Sequence, residues 1–156
     1  MKVKVLFVCL GNICRSPSAE AVLNAKLKDH GLSNDVEVDS AGTSGYHTDE
    51  PADARMQTHA QKRGYSLTSR SRQIRSVDFD EFDFIIAMDQ SNYRNLLNLA
   101  KTSEHRSKVA IMTDFSENLD GDVPDPYYGG ALGFERVLDV LEESIKGLIE
   151  EIKDSL

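Results

Sequence analysis

The sequence predicts a single α/β domain spanning residues 1–156, built as a four-stranded parallel sheet with helices on both faces. Three observations carry that expectation. The chain has 156 residues, 40% of them apolar and 28% charged, the balance of one ordinary globular domain. Four short apolar runs each stop at turn-forming or capping residues. Helical patterns separate these runs, and strands joined by helices make right-handed crossovers and a parallel sheet covered on both sides.

The first run, Val3 to Val8, is β-branched and apolar and meets Gly11, Asn12 and Pro17 at once. It is expected as a buried strand entering a tight loop. Pro17 suits the first position of the helix that follows, Ala19, Val22, Leu23 and Leu27 share one face, and Gly31 ends it. Val36–Asp39, Phe84–Met88 and Lys108–Met112 are the other three strand candidates. Pro51–Arg63 and Asn92–Ala100 read as helices. The C-terminus carries the strongest helical stripe, with Phe134, Val137, Leu138, Leu141, Ile145, Leu148, Ile149 and Ile152 at helical spacing.

Composition narrows the function. No stretch reaches the roughly 18–20 uncharged apolar residues of a bilayer span, and the first residues lack the apolar core and cleavage site of a signal peptide. A cytoplasmic protein is expected. The two cysteines, Cys9 and Cys14, are too few for a disulfide scaffold and are expected to act as thiols. The formal net charge of −8 argues against general affinity for nucleic acid or an anionic membrane. Any anionic ligand must therefore be attracted locally. Lys62, Arg63, Arg70, Arg72 and Arg75 lie in an acid-free run from Met56 to Val77, and Asp114–Tyr128 is acidic without a base. Both are expected as solvated faces, the first with the alternative of greeting an acidic protein substrate.

The chemistry concentrates in Cys9-Leu10-Gly11-Asn12-Ile13-Cys14-Arg15-Ser16-Pro17. A sheet of this kind binds ligands beyond the carboxyl ends of its strands, where this loop lies. Successive N–H groups in a tight loop form an anion nest, the helix start adds a positive dipole end, and Gly11 and Asn12 tolerate the left-handed backbone such a curl requires. The Arg15 guanidinium matches two phosphoryl oxygens. The same field favours the thiolate of Cys9, which makes it a nucleophile at neutral pH. Ser16 has two readings, a helix N-cap or a hydroxyl that donates to the Cys9 sulfur.

A departing alkoxide or phenoxide needs a proton. Asp125, in Val123-Pro124-Asp125-Pro126-Tyr127-Tyr128-Gly129-Gly130, is the candidate donor, aimed by the prolines on either side. Tyr127 and Tyr128 suit the walls of a slot for an aromatic ring.

These segments resemble the phosphate loop and the general-acid loop of the low-molecular-weight protein tyrosine phosphatases. Asp39-Ser40-Ala41-Gly42-Thr43, Arg72-Gln73-Ile74 and Met88-Asp89-Gln90-Ser91-Asn92 match as well, so the resemblance covers nearly the whole chain. It implies hydrolysis of phosphotyrosine and small aryl phosphates through a phosphocysteine, without metal or cofactor. In this reading Cys9 attacks phosphorus, Arg15 holds the equatorial oxygens, Asp125 serves as general acid and then general base, and Ser16 assists the thiolate. The loop Leu10, Gly11, Asn12, Ile13, Cys14 and Arg15 binds phosphate. Leu10, Tyr46, Tyr127 and Tyr128 line the ring pocket, and Asn12 holds the curl through a hydrogen bond with Ser40. The resemblance also implies a reversible Cys9–Cys14 disulfide under peroxide, with simple packing as the alternative for Cys14. The implied partner is a phosphotyrosine-containing protein or peptide, with a tyrosine kinase as a further one.

Departures from the family pattern are Ser69, where some members carry histidine, and Tyr46, where others often have tryptophan. Arsenate reductases of related fold need resolving cysteines that this chain lacks. Arginine-phosphate phosphatases have threonine in place of Ile13 and no tyrosine pair. A phosphotyrosine-binding module without turnover needs neither nucleophile nor acid. His30, His47, His59 and His105 show no close metal-ligand spacing. Asp89 is expected to cap the helix after the third strand rather than to act in catalysis.

Overall fold

Strand β1 (Val3–Cys9) is buried along nearly its whole length, and the two-residue period of its side chains sets the layers on either side. Val3, Val5, Phe7 and Cys9 enter one apolar cluster, and Leu6 and Val8 enter the other. In this computed structural model, which describes residues 2–156 apart from the side chain of Tyr128, β1 pairs in parallel with β2 (Val36–Gly42) and with β3 (Phe84–Ala87), and β3 pairs with β4 (Val109–Ile111). The sheet order is β2-β1-β3-β4, the four-stranded parallel arrangement expected from the sequence.

Helices α1 (Arg15–Asp29), α2 (Ala54–Gln61) and α6 (Gly130–Asp154) cover the first face. Ala19, Val22, Leu23 and Leu27 of α1 meet Val137, Leu138, Leu141, Ile145 and Leu148 of α6 against Val5 and Phe7. On the second face, α3 (Asp78–Glu81), α4 (Gln90–Leu99) and α5 (Ser103–Ser107) follow one another. Phe79 and Leu96 pack there on Leu6, Val8, Ile85 and Ala87. Each fully buried large apolar side chain contributes about 1.5–3 kcal/mol. With Phe7, Phe79, Leu23 and Leu138 among them, the core holds without a covalent staple, and both cysteines are free thiols. No helix among the described residues is long and apolar enough to cross a membrane.

The elements differ from the sequence expectation where tertiary pairing overrides local propensity. β2 runs three residues past Asp39, because Ser40, Ala41 and Gly42 pair with Phe7, Val8 and Cys9 of β1. The short helices α3 and α5 carry too few residues to show a period. The basic run also differs. Arg63 is not a solvated charge, since it reaches Glu135, Asp139 and Glu142 of α6 at 2.7, 3.0 and 2.7 Å. Arg72 bridges Asp39 and the buried Asp78 at 3.0 and 2.9 Å. All of these acids except Asp78, six residues from Arg72, lie 33 or more positions away in sequence, so no local pattern reveals them. Lys62, Arg70 and Arg75 are exposed as expected.

Candidate active site

Between β1 and α1 the chain curls through residues 10–14, and the fate of its carbonyls defines the curl. The oxygens of Cys9 and Leu10 accept from the N–H groups of Thr43 and Ser44, both at 2.9 Å. Gly11 O accepts from Ser71 Oγ at 3.0 Å, and Ile13 O from Asp53 N at 2.8 Å. Cys14 O accepts from Ser18, whose hydroxyl lies at 2.6 Å. With these carbonyls turned outward, none of the N–H groups of residues 10–14 meets a protein acceptor among the described residues. Unpaired N–H groups are costly away from water, and a ring of them at a helix start forms an anion receptor. Asn12 takes the left-handed conformation that closes the curl, with φ 57°. Gly42 lets β2 pass close behind it, since a Cβ there would fall 2.7 Å from Leu10 O.

One hydrogen-bond chain determines the direction of the proton on Ser16. The Arg72 N–H donates to Asn12 Oδ1 at 3.0 Å, so the other amide atom of Asn12 is nitrogen. That Nδ2 donates to Ser16 Oγ at 2.8 Å. The hydroxyl thus accepts from Asn12 and is free to donate to Cys9 Sγ, 3.0 Å away. Ser16 is therefore not an N-cap: Cys14 occupies that position and caps without its side chain. The expected Asn12–Ser40 hydrogen bond is not formed. Ser40 Oγ donates instead to Glu20 Oε1 at 2.6 Å, and Arg72 and Ser16 hold Asn12. Burial raises the Glu20 carboxyl above the usual carboxylate range, which suits it to a site shielded from water.

Arg15 is almost fully buried, and its Nη1 donates to Asp89 Oδ2 at 2.8 Å and to Val123 O at 3.0 Å. Its remaining nitrogens have no protein acceptor among the described residues. Asp89 caps α4 as expected, accepting from Asn92 N at 2.7 Å through Oδ1; its other oxygen holds the guanidinium, a role the sequence reading did not assign. Val123 also donates its N–H to Met88 O at 2.8 Å. The segment leading to Asp125 is thus tied to the end of β3 and to Arg15. Asp125 itself is exposed, and its Oδ1 accepts from Tyr127 N at 2.9 Å.

These residues surround a cavity of about 300 Å³ whose walls include Cys9, Leu10, Ile13, Arg15, Tyr46 and Asp125. Tyr127 lines it too, with its ring under the Arg55 guanidinium at 5.5 Å. His47 lines it as well and stands edge-on to Tyr46 with centroids 5.1 Å apart. The Tyr128 side chain lies outside the described residues. The expected pocket thus brings together Cys9, Leu10, Gly11, Ile13, Cys14, Arg15, Tyr46, Asp125 and Tyr127; Asn12 and Ser16 stand behind it. Among the described residues, no group of three or more His, Cys, Asp or Glu is gathered to hold a metal ion.

Burial, with Asp53 next in weight, pushes the Cys14 thiol up to about 12, so it stays protonated at neutral pH. Iodoacetamide at pH 7.5 is therefore expected to modify Cys9 alone, with inorganic phosphate protecting it. Fragment-ion mass spectrometry of the peptide holding both cysteines reads this, and initial labelling of Cys14 would contradict it.

Asp89, Ser71, Arg72 and Glu20 are the site residues whose roles the sequence does not announce. The contacts of Ser71, Arg72 and Asp89 to the loop and Arg15 span 60 to 74 positions, and Glu20 reaches Ser40 across 20. The only trace was that Asp89 and Arg72 fall in segments already singled out.

Comparison with known proteins agrees with this geometry. The family model for low molecular weight phosphotyrosine protein phosphatase matches residues 4–156. A low molecular weight protein-tyrosine-phosphatase of Streptomyces coelicolor is 42% identical over 100% of this chain and 97% of its own. The low molecular weight phosphotyrosine protein phosphatase of Homo sapiens is 39% identical over 94% of each. The crystal structure of a protein tyrosine phosphatase from Entamoeba histolytica, with Hepes in the active site, superposes with a TM-score of 0.95 at 45% identity and covers 99% of both chains. With the family model matching residues 4–156 and relatives 39–42% identical over 94–100% of its length, the chain belongs to the low molecular weight phosphotyrosine protein phosphatase family.

Proposed function

We propose that Cys9, Arg15, Ser16 and Asp125 are the residues with which this chain performs its family's reaction, hydrolysis of phosphotyrosine in a protein or peptide through a phosphocysteine. The observation that carries the assignment is the run of N–H groups at residues 10–14, between Cys9 and Arg15, that meet no protein acceptor among the described residues. The N–H groups and the free edge of Arg15 bind the phosphoryl oxygens, and their charge complementarity grows as negative charge spreads over those oxygens in transfer. Cys9 Sγ forms a bond to phosphorus while the bond from phosphorus to the tyrosine oxygen breaks, and Asp125 delivers its proton to that oxygen. A water molecule then attacks phosphorus, Asp125 takes the proton back, and the sulfur leaves as thiolate, stabilised by the Ser16 hydroxyl. Leu10, Ile13, Tyr46 and Tyr127 hold the ring.

The reading extends to a tyrosine kinase as the enzyme that makes the substrate, and to the cytoplasm, where thiols remain reduced. It also includes Cys14 as the partner that can close a disulfide with Cys9 under peroxide and keep the nucleophile from irreversible oxidation.

The test is a comparison of phosphotyrosine, phosphoserine and phosphoarginine peptides, with p-nitrophenyl phosphate as a control in the presence of EDTA. Turnover is expected with p-nitrophenyl phosphate and phosphotyrosine, undiminished by the chelator. Preference for phosphoarginine would reject the substrate assignment.

A further inference from the structure

Leu10 is a ridge between two hollows. On one side is the catalytic cavity; on the other is a groove of about 340 Å³ lined by Leu10, Thr43, Ser44, Asn95, Asn98 and Leu99. Leu10 and Ser44 line both, so the groove continues the mouth of the active site. Side-chain alternation along β1 explains the division. Cys9 belongs with Val5 and Phe7 on the α1/α6 face, whereas Leu6 and Val8 face the α4 side. Leu10 continues the second series. The last turn of α4 meets it there, with Asn95, Asn98 and Leu99 on one helical face at spacings of three and four residues.

The groove has the chemistry of a peptide subsite. Leu10 and Leu99 are 57% and 46% exposed, open apolar surface facing a common hollow. Asn95 and Asn98 are exposed, and their side-chain amides form no hydrogen bond to the protein among the described residues. Each amide offers a donor and an acceptor, the pair needed to bind a peptide backbone. None of the six lining residues is charged, in a chain of formal net charge −8, so a charged side chain would find no counter-ion. A chain whose phosphotyrosine ring fills the cavity continues across its rim, and extended polypeptide advances about 3.3–3.6 Å per residue. Positions within three residues of the phosphotyrosine therefore come within reach of Leu10 and Leu99.

We infer that this groove is a second substrate subsite, which takes an uncharged apolar side chain one to three residues from the phosphotyrosine while Asn95 and Asn98 bind the adjoining backbone. The inference rests on the phosphatase reading above and adds a sequence preference to it.

The experiment uses phosphotyrosine nonapeptides of alanine and serine, with a single leucine or aspartate at each position from −3 to +3. The wild-type enzyme is expected to prefer leucine to aspartate by about tenfold in kcat/KM, equivalent to about 1.4 kcal/mol, at one position or two neighbouring ones and mainly through KM. Leu99→Arg is expected to abolish that preference and to favour aspartate at the same position, a reversal that general damage to the fold would not produce. Asn98→Arg, which fills the groove from a second residue, is expected to remove the leucine preference too. Hydrolysis of p-nitrophenyl phosphate, which occupies only the catalytic cavity, is expected to be unaltered in both variants. A flat leucine-to-aspartate profile beside normal p-nitrophenyl phosphate turnover would overturn the subsite alone, as would a leucine preference that survives Leu99→Arg. Absence of all turnover in the wild type would overturn the subsite and the phosphatase reading together.

Discussion

Cys9→Ser is expected to lower kcat for p-nitrophenyl phosphate by ~10⁴-fold or more, the scale on which enzymes respond to loss of a covalent nucleophile. The substitution exchanges one atom in a buried position and leaves the carbonyls of Cys9 and Leu10 bonded to Thr43 and Ser44, so the anion receptor persists. A serine hydroxyl is a far poorer nucleophile than a thiolate near neutral pH, and among the described residues the hydrogen-bond partner at this position is Ser16, a neutral hydroxyl and not a general base. The variant should therefore still bind a phosphotyrosine peptide. Equilibrium binding alongside steady-state kinetics checks both halves, and appreciable turnover by the variant would overturn the covalent mechanism.

Asp125→Asn is expected to reduce kcat/KM, which reports phosphocysteine formation and not the later attack of water, by about 10²–10⁴-fold on phenyl phosphate or a phosphotyrosine peptide, the range for a positioned acid, and much less on p-nitrophenyl phosphate. The difference follows from the leaving group. p-Nitrophenolate departs without a proton, whereas the tyrosine oxygen needs one. Asparagine keeps an oxygen to accept from the Tyr127 N–H at 2.9 Å, so the loop geometry is retained and only the capacity to give and take a proton is lost. A plot of log kcat/KM against leaving-group pKa is expected to steepen in the variant. Parallel losses for good and poor leaving groups would remove Asp125 from the acid role.

The general-acid segment and the phosphate loop were both legible in sequence, for different reasons. The loop is local: strand, Gly-Asn curl, Arg-Ser and helix follow one another within about fifteen residues, so each residue's neighbours in space are also its neighbours in sequence. Asp125 was recognised through its flanking prolines, but its place beside Arg15 depends on two contacts of Val123, to Arg15 and to Met88, which no spacing encodes. The Asn12 partner was misjudged for the same reason. Ser40, Ser71 and Arg72 all come near the loop, and only the path of the chain after β2 puts the Arg72 N–H, rather than the Ser40 hydroxyl, on Asn12.

The sequence alone determined the β1–loop–α1 unit, the choice of Cys9 as candidate nucleophile and the parallel α/β class, because two-residue and 3.6-residue periods and capping chemistry act over one or two turns of chain. Tertiary structure decided how the site is held. Asp89 restrains Arg15 across 74 residues, Arg72 orients Asn12 and hence the Ser16 proton across 60, and α4 meets Leu10 to form a groove that neither segment contains by itself. Such contacts bring together groups whose separation along the chain exceeds the reach of any local propensity, and only packing of the sheet and its helices selects them.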